Sequence, residues 1–234
     1  MDRGTWIIDR GCRAHSTFHG LPNMIRAIFF DFDGVLVASE PVHYQCWAEV
    51  LAAYGMPLTE QFYFEHFVGV SNQEMIEILC LHYGKAHSRV FFQECYTKKK
   101  ALYATRVLEA CRTPDDLVAF IRGQARTYRL GVVTSSARSE VEPLLVRQGL
   151  RESFSVLVCG SEQVKNLKPA PDPYLWALEL VNARAHQTLQ PQECLVVEDS
   201  GPGAESGRLA GMRVLLVAQP EEVSSRLRDI LNVG

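Results

Sequence analysis

The chain has 234 residues, 47% of them hydrophobic and 22% charged, with a formal net charge of −3. That length can bury a full core, as one large domain or two small ones. The near-neutral charge excludes a general attraction to nucleic acid or an anionic membrane surface, and no apolar run approaches the ~20 residues of a membrane-spanning helix. The seven cysteines lie scattered from Cys12 to Cys194 without a CxxC pair. That spacing argues against a zinc site or a disulfide framework and for reduced thiols in a cytoplasmic protein.

In chain order, residues 1–23 come first. They mix Arg3, Arg10 and Arg13 with Asp2, Asp9, His15 and His19 and lack the apolar stretch of a secretory signal. This segment is expected to be a flexible extension, either native or produced by a start placed upstream of the domain. Ile25–Phe30 is the first strand pattern, followed by Leu130–Thr134, Phe154–Cys159, Cys194–Val197 and Val214–Val217. Such continuous apolar runs suit strands covered on both faces in a parallel sheet. Helical patterns separate most of them. Val141, Leu144, Leu145 and Leu150 follow one face, and Tyr174, Leu175, Leu178 and Val181 another. Thr113-Pro114 and Asp172-Pro173 read as N-cap plus first helical position. The expected fold class is therefore α/β, with a Rossmann-like, doubly wound parallel sheet.

Residues 41–108 break this alternation. Trp47, Val50, Leu51 and Tyr54 share one helical face, and Met75, Ile76, Leu79, Cys80 and Tyr83 share another. A small helical cap domain inserted after the first strand is expected there, with 24–40 and 109–234 forming the core domain.

The chemistry-bearing residues lie where strands end. Strand one runs into Asp31-Phe32-Asp33-Gly34, two carboxylates at the sheet edge where open α/β proteins bind ligands. An aspartate can attack phosphorus as a nucleophile, and a neighbour can carry the leaving group's proton. A solvated turn would carry the same residues. Strand two ends in Thr134-Ser135-Ser136, which supplies hydroxyls and amides but also suits an ordinary turn. Lys168 precedes a helix start, where an ammonium can neutralise phosphate charge or lie at the surface. Strand four runs into Glu198-Asp199. Adjacent acids at a buried strand end are costly unless a cation or donors satisfy them, and Mg2+ binds such carboxylates together with substrate phosphate.

Taken together, DFDGVL, VVTSS, LKPAPDPYLWAL and VVEDSGPGAESGRLAGM resemble the four motifs of the haloacid dehalogenase superfamily. More narrowly, they resemble its β-phosphoglucomutase-like phosphatases and mutases. The resemblance spans about Met24 to Val217. It implies Asp31 as nucleophile and Asp33 as general acid–base, with the Asp33 backbone carbonyl reaching the metal. It implies Thr134 and the Ser135 amide as phosphate donors, and Lys168 as the bridge between phosphate and Asp31. Mg2+ would be held by Asp31, Asp33 and Asp199, with Glu198 as a ligand or a supporting acceptor.

Two departures bear on function. Ala38 stands where the pattern DG-x-L-x-D-S has its second acid, near the hinge into the cap. Asn72 stands where the sugar-phosphate mutases place an arginine for a second phosphate, which favours hydrolysis over mutase chemistry. His43 and Asn72 are candidate substrate-facing cap residues. Lys98, Lys99 and Lys100 are expected on a solvated helix face, and Trp47 and Tyr54 in the cap's core. The expected function is a monomeric, Mg2+-dependent phosphatase acting on a small phosphorylated metabolite, with a sugar phosphate as the leading class. A sugar-phosphate mutase is the alternative, followed by a binder that senses a phosphorylated ligand without turnover. Dehalogenation ranks behind these, because Asp33 and the Glu198-Asp199 pair suit a metal and phosphate better than carbon–halogen substitution.

Overall fold

The computed structural model describes residues 24–185 and 188–233; the expected extension over residues 1–23 lies outside them. The strands are β1 (Ala27–Phe30), β2 (Arg129–Thr134), β3 (Val156–Cys159), β4 (Cys194–Glu198) and β5 (Arg213–Leu216). They form one sheet in the order β3-β2-β1-β4-β5. Every pairing is parallel, and Phe30 lies level with Val132 on one side and Val197 on the other. Strand order reverses around β1, so the crevice beyond its C-terminal end is the natural ligand position.

The strands read as continuous apolar runs because both faces are covered. Ile28, Phe30, Leu130, Val132, Leu195 and Val197 enter one core cluster. Ala27, Phe29, Val133, Cys194 and Val196 alternate into the other. Helices α5 (Asp115–Gln124), α6 (Arg138–Arg147) and α10 (Val223–Leu231) contribute to the first cluster, and α8 (Asp172–Ala185) to the second. The short α7 (Gly160–Gln163) follows β3, and α9 (Gly201–Leu209) connects β4 to β5.

Two local expectations are corrected. Leu175 is 38% exposed, and α8 instead buries Tyr174, Ala177, Leu178 and Val181. The N-cap of α5 is Pro114, not Thr113; Thr113 is buried and gives its backbone N–H to Gln148 Oε1 at 2.8 Å.

Between β1 and β2 the chain forms α1 (Glu40–Ala52), α2 (Glu60–His66), α3 (Asn72–His82) and α4 (Arg89–Ala110). Their apolar faces make a separate cluster centred on Trp47, Leu51, Met56, Ile76, Leu79 and Cys95. Side chains of Thr59, Ser71 and Ser88 cap α2, α3 and α4 by accepting backbone N–H groups. Trp47 is fully buried there, and Tyr54 packs its ring edge-on against Phe91. The C-terminal half of α4 returns to the core through Tyr103, Val107 and the following Cys111.

Glycine at position 131 is a packing requirement of the sheet. A Cβ there would stand 2.6 Å from Val156 Cγ2 and 2.9 Å from Phe29 Cδ1. Gly131→Ala is expected to lower stability by about 1–3 kcal/mol through overpacking, read as a lower urea midpoint at unchanged m-value. An unchanged midpoint would contradict this packing.

Candidate active site

The carboxylates converge because β1 and β4 are neighbours in register. Asp31 extends the ladder, its N–H donating to Val197 O at 2.9 Å, so its side chain emerges beside Glu198. The chain then turns sharply. Gly34 takes φ +74°, and its N–H closes on Val37 O at 2.8 Å. A side chain there is also excluded by space, since a Cβ would lie 2.0 Å from Asp199 Oδ2.

Lys168 occupies the centre. Its ammonium donates to Asp31 Oδ1 at 2.6 Å, Glu198 Oε1 at 2.6 Å and Val133 O at 2.9 Å. Those contacts use all three of its N–H donors. Its loop is braced by Asn166 donating to Asp172 at 2.9 Å and by Ser206 donating to Ala170 O at 2.6 Å. Burial opposes the charge on Lys168, but Asp31, Tyr174 and Glu198 outweigh it and keep the group an ammonium. Tyr174 was not anticipated as part of this centre; its hydroxyl donates to Glu198 Oε1 at 2.8 Å.

Glu198 is fully buried and heavily engaged. Oε1 accepts from Lys168 and Tyr174, while Oε2 accepts from the Ser200 hydroxyl at 3.0 Å. Gly203 leaves room for it, because a Cβ would stand 2.0 Å from its carboxyl carbon. These bonds suit an anchor for Lys168. Asp199 is more open and points at Gly34.

Asp31, Glu198 and Asp199 each bring a carboxylate oxygen within 4.8 Å of the others. The cluster is short of positive charge. Burial pushes the Asp31 carboxyl well above the usual range, with Lys168 opposing and Glu198 and Asp33 adding to it. Burial and then the charge of Glu198 push Asp199 up to about 6. These residues fit a hard divalent cation, whose charge would reverse both shifts.

Asp33 faces the hinge. Ser39 donates to its Oδ1, Ser136 donates to Oδ2 at 2.6 Å, and the Tyr103 hydroxyl lies 3.4 Å from Oδ1. His43 Nε2 stands 3.8 Å from the same oxygen. Burial alone would raise the Asp33 pKa, but His43, Ser136 and Ser39 outweigh it and hold the group below the ordinary carboxylate range. Thr134 is buried at the end of β2, its hydroxyl oxygen accepting from Ser136 N at 3.0 Å. The Ser135 side chain is exposed and has no hydrogen-bond partner among the described residues.

The lysine run is not uniformly solvated. Lys98 is exposed on Glu94 and Tyr54, but Lys99 is buried, with Nζ 2.6 Å from His43 Nδ1 and 4.3 Å from the Tyr103 ring centroid. The register was legible in the sequence: Cys95, Lys99, Tyr103 and Val107 recur every fourth residue, and all four are buried. The structure does not join Asn72 to the acidic cluster. Its amide oxygen accepts from the Trp47 indole at 3.0 Å.

The raised Asp199 pKa has a consequence for the metal-free protein. Because the folded group binds its proton more tightly than the unfolded one, its contribution to stability is lost as pH rises from 3.8 toward about 6. Asp199→Asn is therefore expected to melt higher than wild type in chelator at pH 7.5, with the difference shrinking by pH 4. Equal melting temperatures at both pH values would contradict this charge excess.

Known proteins resemble this chain in sequence and fold. The phosphorylated carbohydrates phosphatase of Thermotoga maritima is 29% identical over 226 residues, covering 88% of this chain and 100% of that protein. Fructose-1-phosphate phosphatase YqaB of Escherichia coli is 29% identical over 192 residues, covering 79% of this chain and 92% of the other. Among solved structures, CbbY from Rhodobacter sphaeroides in complex with phosphate superposes with a TM-score of 0.67 at 26% identity, covering 82% of this chain and 86% of that one. The family model for haloacid dehalogenase-like hydrolases matches residues 28–217. Because that match runs from within β1 to just past β5, the chain belongs to the haloacid dehalogenase-like hydrolase family.

Proposed function

We propose that the protein is a Mg2+-dependent phosphatase of small phosphorylated carbohydrates, working through a phosphoaspartate at Asp31. The observation that carries this reading is the Lys168 ammonium fixed against Asp31 at the sheet edge, beside an acidic cluster that lacks charge compensation. The phosphatase relatives support the carbohydrate class.

In the first step an Asp31 carboxylate oxygen forms a bond to phosphorus while the bond from phosphorus to the substrate alkoxide oxygen breaks. Asp33 gives its proton to that alkoxide. Water then attacks the phosphorus of the phosphoaspartate, Asp33 takes the water's proton, and Asp31 leaves as a free carboxylate. Thr134 and the neighbouring amides hold the phosphoryl oxygens, and Lys168 offsets the repulsion between phosphate and Asp31. A divalent cation held by Asp31, Asp199 and the Asp33 carbonyl would supply the remaining charge neutralisation. Glu198 serves by holding Lys168 in place. For Asp33 to act as an acid, its carboxylate must leave Ser39 and Ser136, so closure of α1–α4 over substrate is part of the cycle.

The Asn72 side chain is neutral and engaged by Trp47, which supports water over a second phosphorylated sugar as acceptor. The test is phosphate release from an aryl phosphate, fructose 1-phosphate and hexose 6-phosphates, with Mg2+ or with chelator. Turnover should require Mg2+ and fall at least about a thousandfold in Asp31→Asn. Isomerised sugar phosphate without free phosphate would replace this reading with a mutase. Ligand binding with neither product would make the protein a binder.

A further inference from the structure

We propose that Tyr174 is a positioning residue that commits Glu198 to Lys168 and withholds it from a divalent cation held by Asp31 and Asp199. The inference rests on the reading of those two aspartates as the cation's carboxylate ligands.

Strand alternation decides which way Glu198 points. Cys194 and Val196 of β4 turn into the core cluster that α8 covers, and Glu198 is the next residue of that alternation. Tyr174 enters the same cluster from the first turn of α8 and is fully buried. Its hydroxyl therefore meets the carboxylate inside the protein, donating to Oε1 at 2.8 Å. A phenol buried this deeply needs an acceptor and a buried carboxylate needs donors, so each satisfies the other.

A carboxylate offers about four lone-pair positions. In Glu198 they are taken. Oε1 accepts from Lys168 at 2.6 Å and from Tyr174, while Oε2 accepts from the Ser200 hydroxyl at 3.0 Å and the Ser200 N–H at 3.4 Å. A bond to a cation would have to displace one of these donors. Ser200 lies on the same loop as Glu198 and can follow it. Lys168 and Tyr174 tie Oε1 to a different segment, the loop that runs into α8, and the Lys168 ammonium stands 5.0 Å from the Tyr174 ring centroid.

Glu198 stands close enough to be drawn away, since it brings an oxygen within 4.8 Å of carboxylate oxygens on Asp31 and Asp199. A divalent ion between those aspartates would attract a further carboxylate. A Glu198 that moved to the ion would leave Lys168 one acceptor short and less firmly set against Asp31. The Tyr174 hydroxyl opposes that move. The consequence is a cation held less tightly and a lysine held more firmly.

The test uses Tyr174→Phe, which keeps the buried ring beside Lys168 and removes only the hydroxyl. Mn2+ is the probe, its affinity read by electron paramagnetic resonance without substrate. The variant should bind Mn2+ about five- to tenfold tighter than wild type, because a further carboxylate is released to the ion. Its kcat for phosphate release should fall about tenfold with KM within about threefold. A site merely loosened by the substitution would bind the ion less tightly, so the opposite directions are specific to this role. On a Glu198→Gln background, Tyr174→Phe should change Mn2+ affinity by less than about twofold, because the effect passes through that carboxylate. Wild-type crystals soaked in Mn2+ should show the ion bonded to Asp31 and Asp199 with Glu198 still on Lys168 and Tyr174, a result that needs no variant to fold. Affinity unchanged or lowered in Tyr174→Phe, or Glu198 bonded to the ion in wild type, would overturn the proposal. An absence of saturable Mn2+ binding in wild type would overturn it together with the cation reading. If Mn2+ binds but wild type releases no phosphate, the phosphatase reading falls, while the affinities still decide this one.

Discussion

The active centre depends on one buried ammonium. Lys168 joins Asp31 beyond β1, the last residue of β4 and a carbonyl of β2, so three adjacent parallel strands meet at a single cation. An ammonium has three donors, and here each meets an oxygen fixed by the sheet. Burying that charge is tolerable only because the three acceptors are already in place. The surrounding features serve the same end. Tyr174 and Ser200 hold Glu198, Ser206 and Asn166 hold the loop that carries the lysine, and Gly203 and Gly34 give space to the acids.

A single lysine does not balance the carboxylates gathered around it, and this imbalance suits the centre to a bound cation. Asp31 and Asp199 both resist ionisation as they stand. Asp33, two residues along, is held as an anion by hydroxyls and His43. Two aspartates on one short loop thus occupy opposite electrostatic environments, and the proposed cycle inverts both: a bound cation would ionise Asp31, and release from Ser39 and Ser136 would let Asp33 carry a proton. The division arises from direction: Asp31 faces the lysine, whereas Asp33 faces the hinge and α4.

Much of this was legible in the sequence. The strands announce themselves as apolar runs because both faces are covered, and the DxDG, TSS, lone-lysine and ED segments stand at their ends because a parallel sheet brings all its C-terminal edges together. What was not legible depended on which way a side chain points. In a run of three lysines composition cannot say which is buried, although the four-residue spacing from Cys95 to Val107 singles out Lys99. Leu175 joins an apolar pattern yet lies off the buried stripe of α8, which is Tyr174, Ala177, Leu178 and Val181 at i, i+3, i+4 and i+7. The Asn72 amide oxygen also accepts from the buried Trp47 indole, which needs an acceptor once removed from water, a contact that no motif announces.

The central claim is that Asp31, held by Lys168, accepts the phosphoryl group. The most direct measurement is an acid-quenched single turnover with a substrate carrying a radiolabelled phosphoryl group, followed by mapping of any protein-bound label. The account predicts transient label on the peptide containing Asp31, absent in Asp31→Asn and discharged to free phosphate as the reaction proceeds. Label passing straight to free phosphate while turnover runs, with none bound to protein at any time, would contradict it.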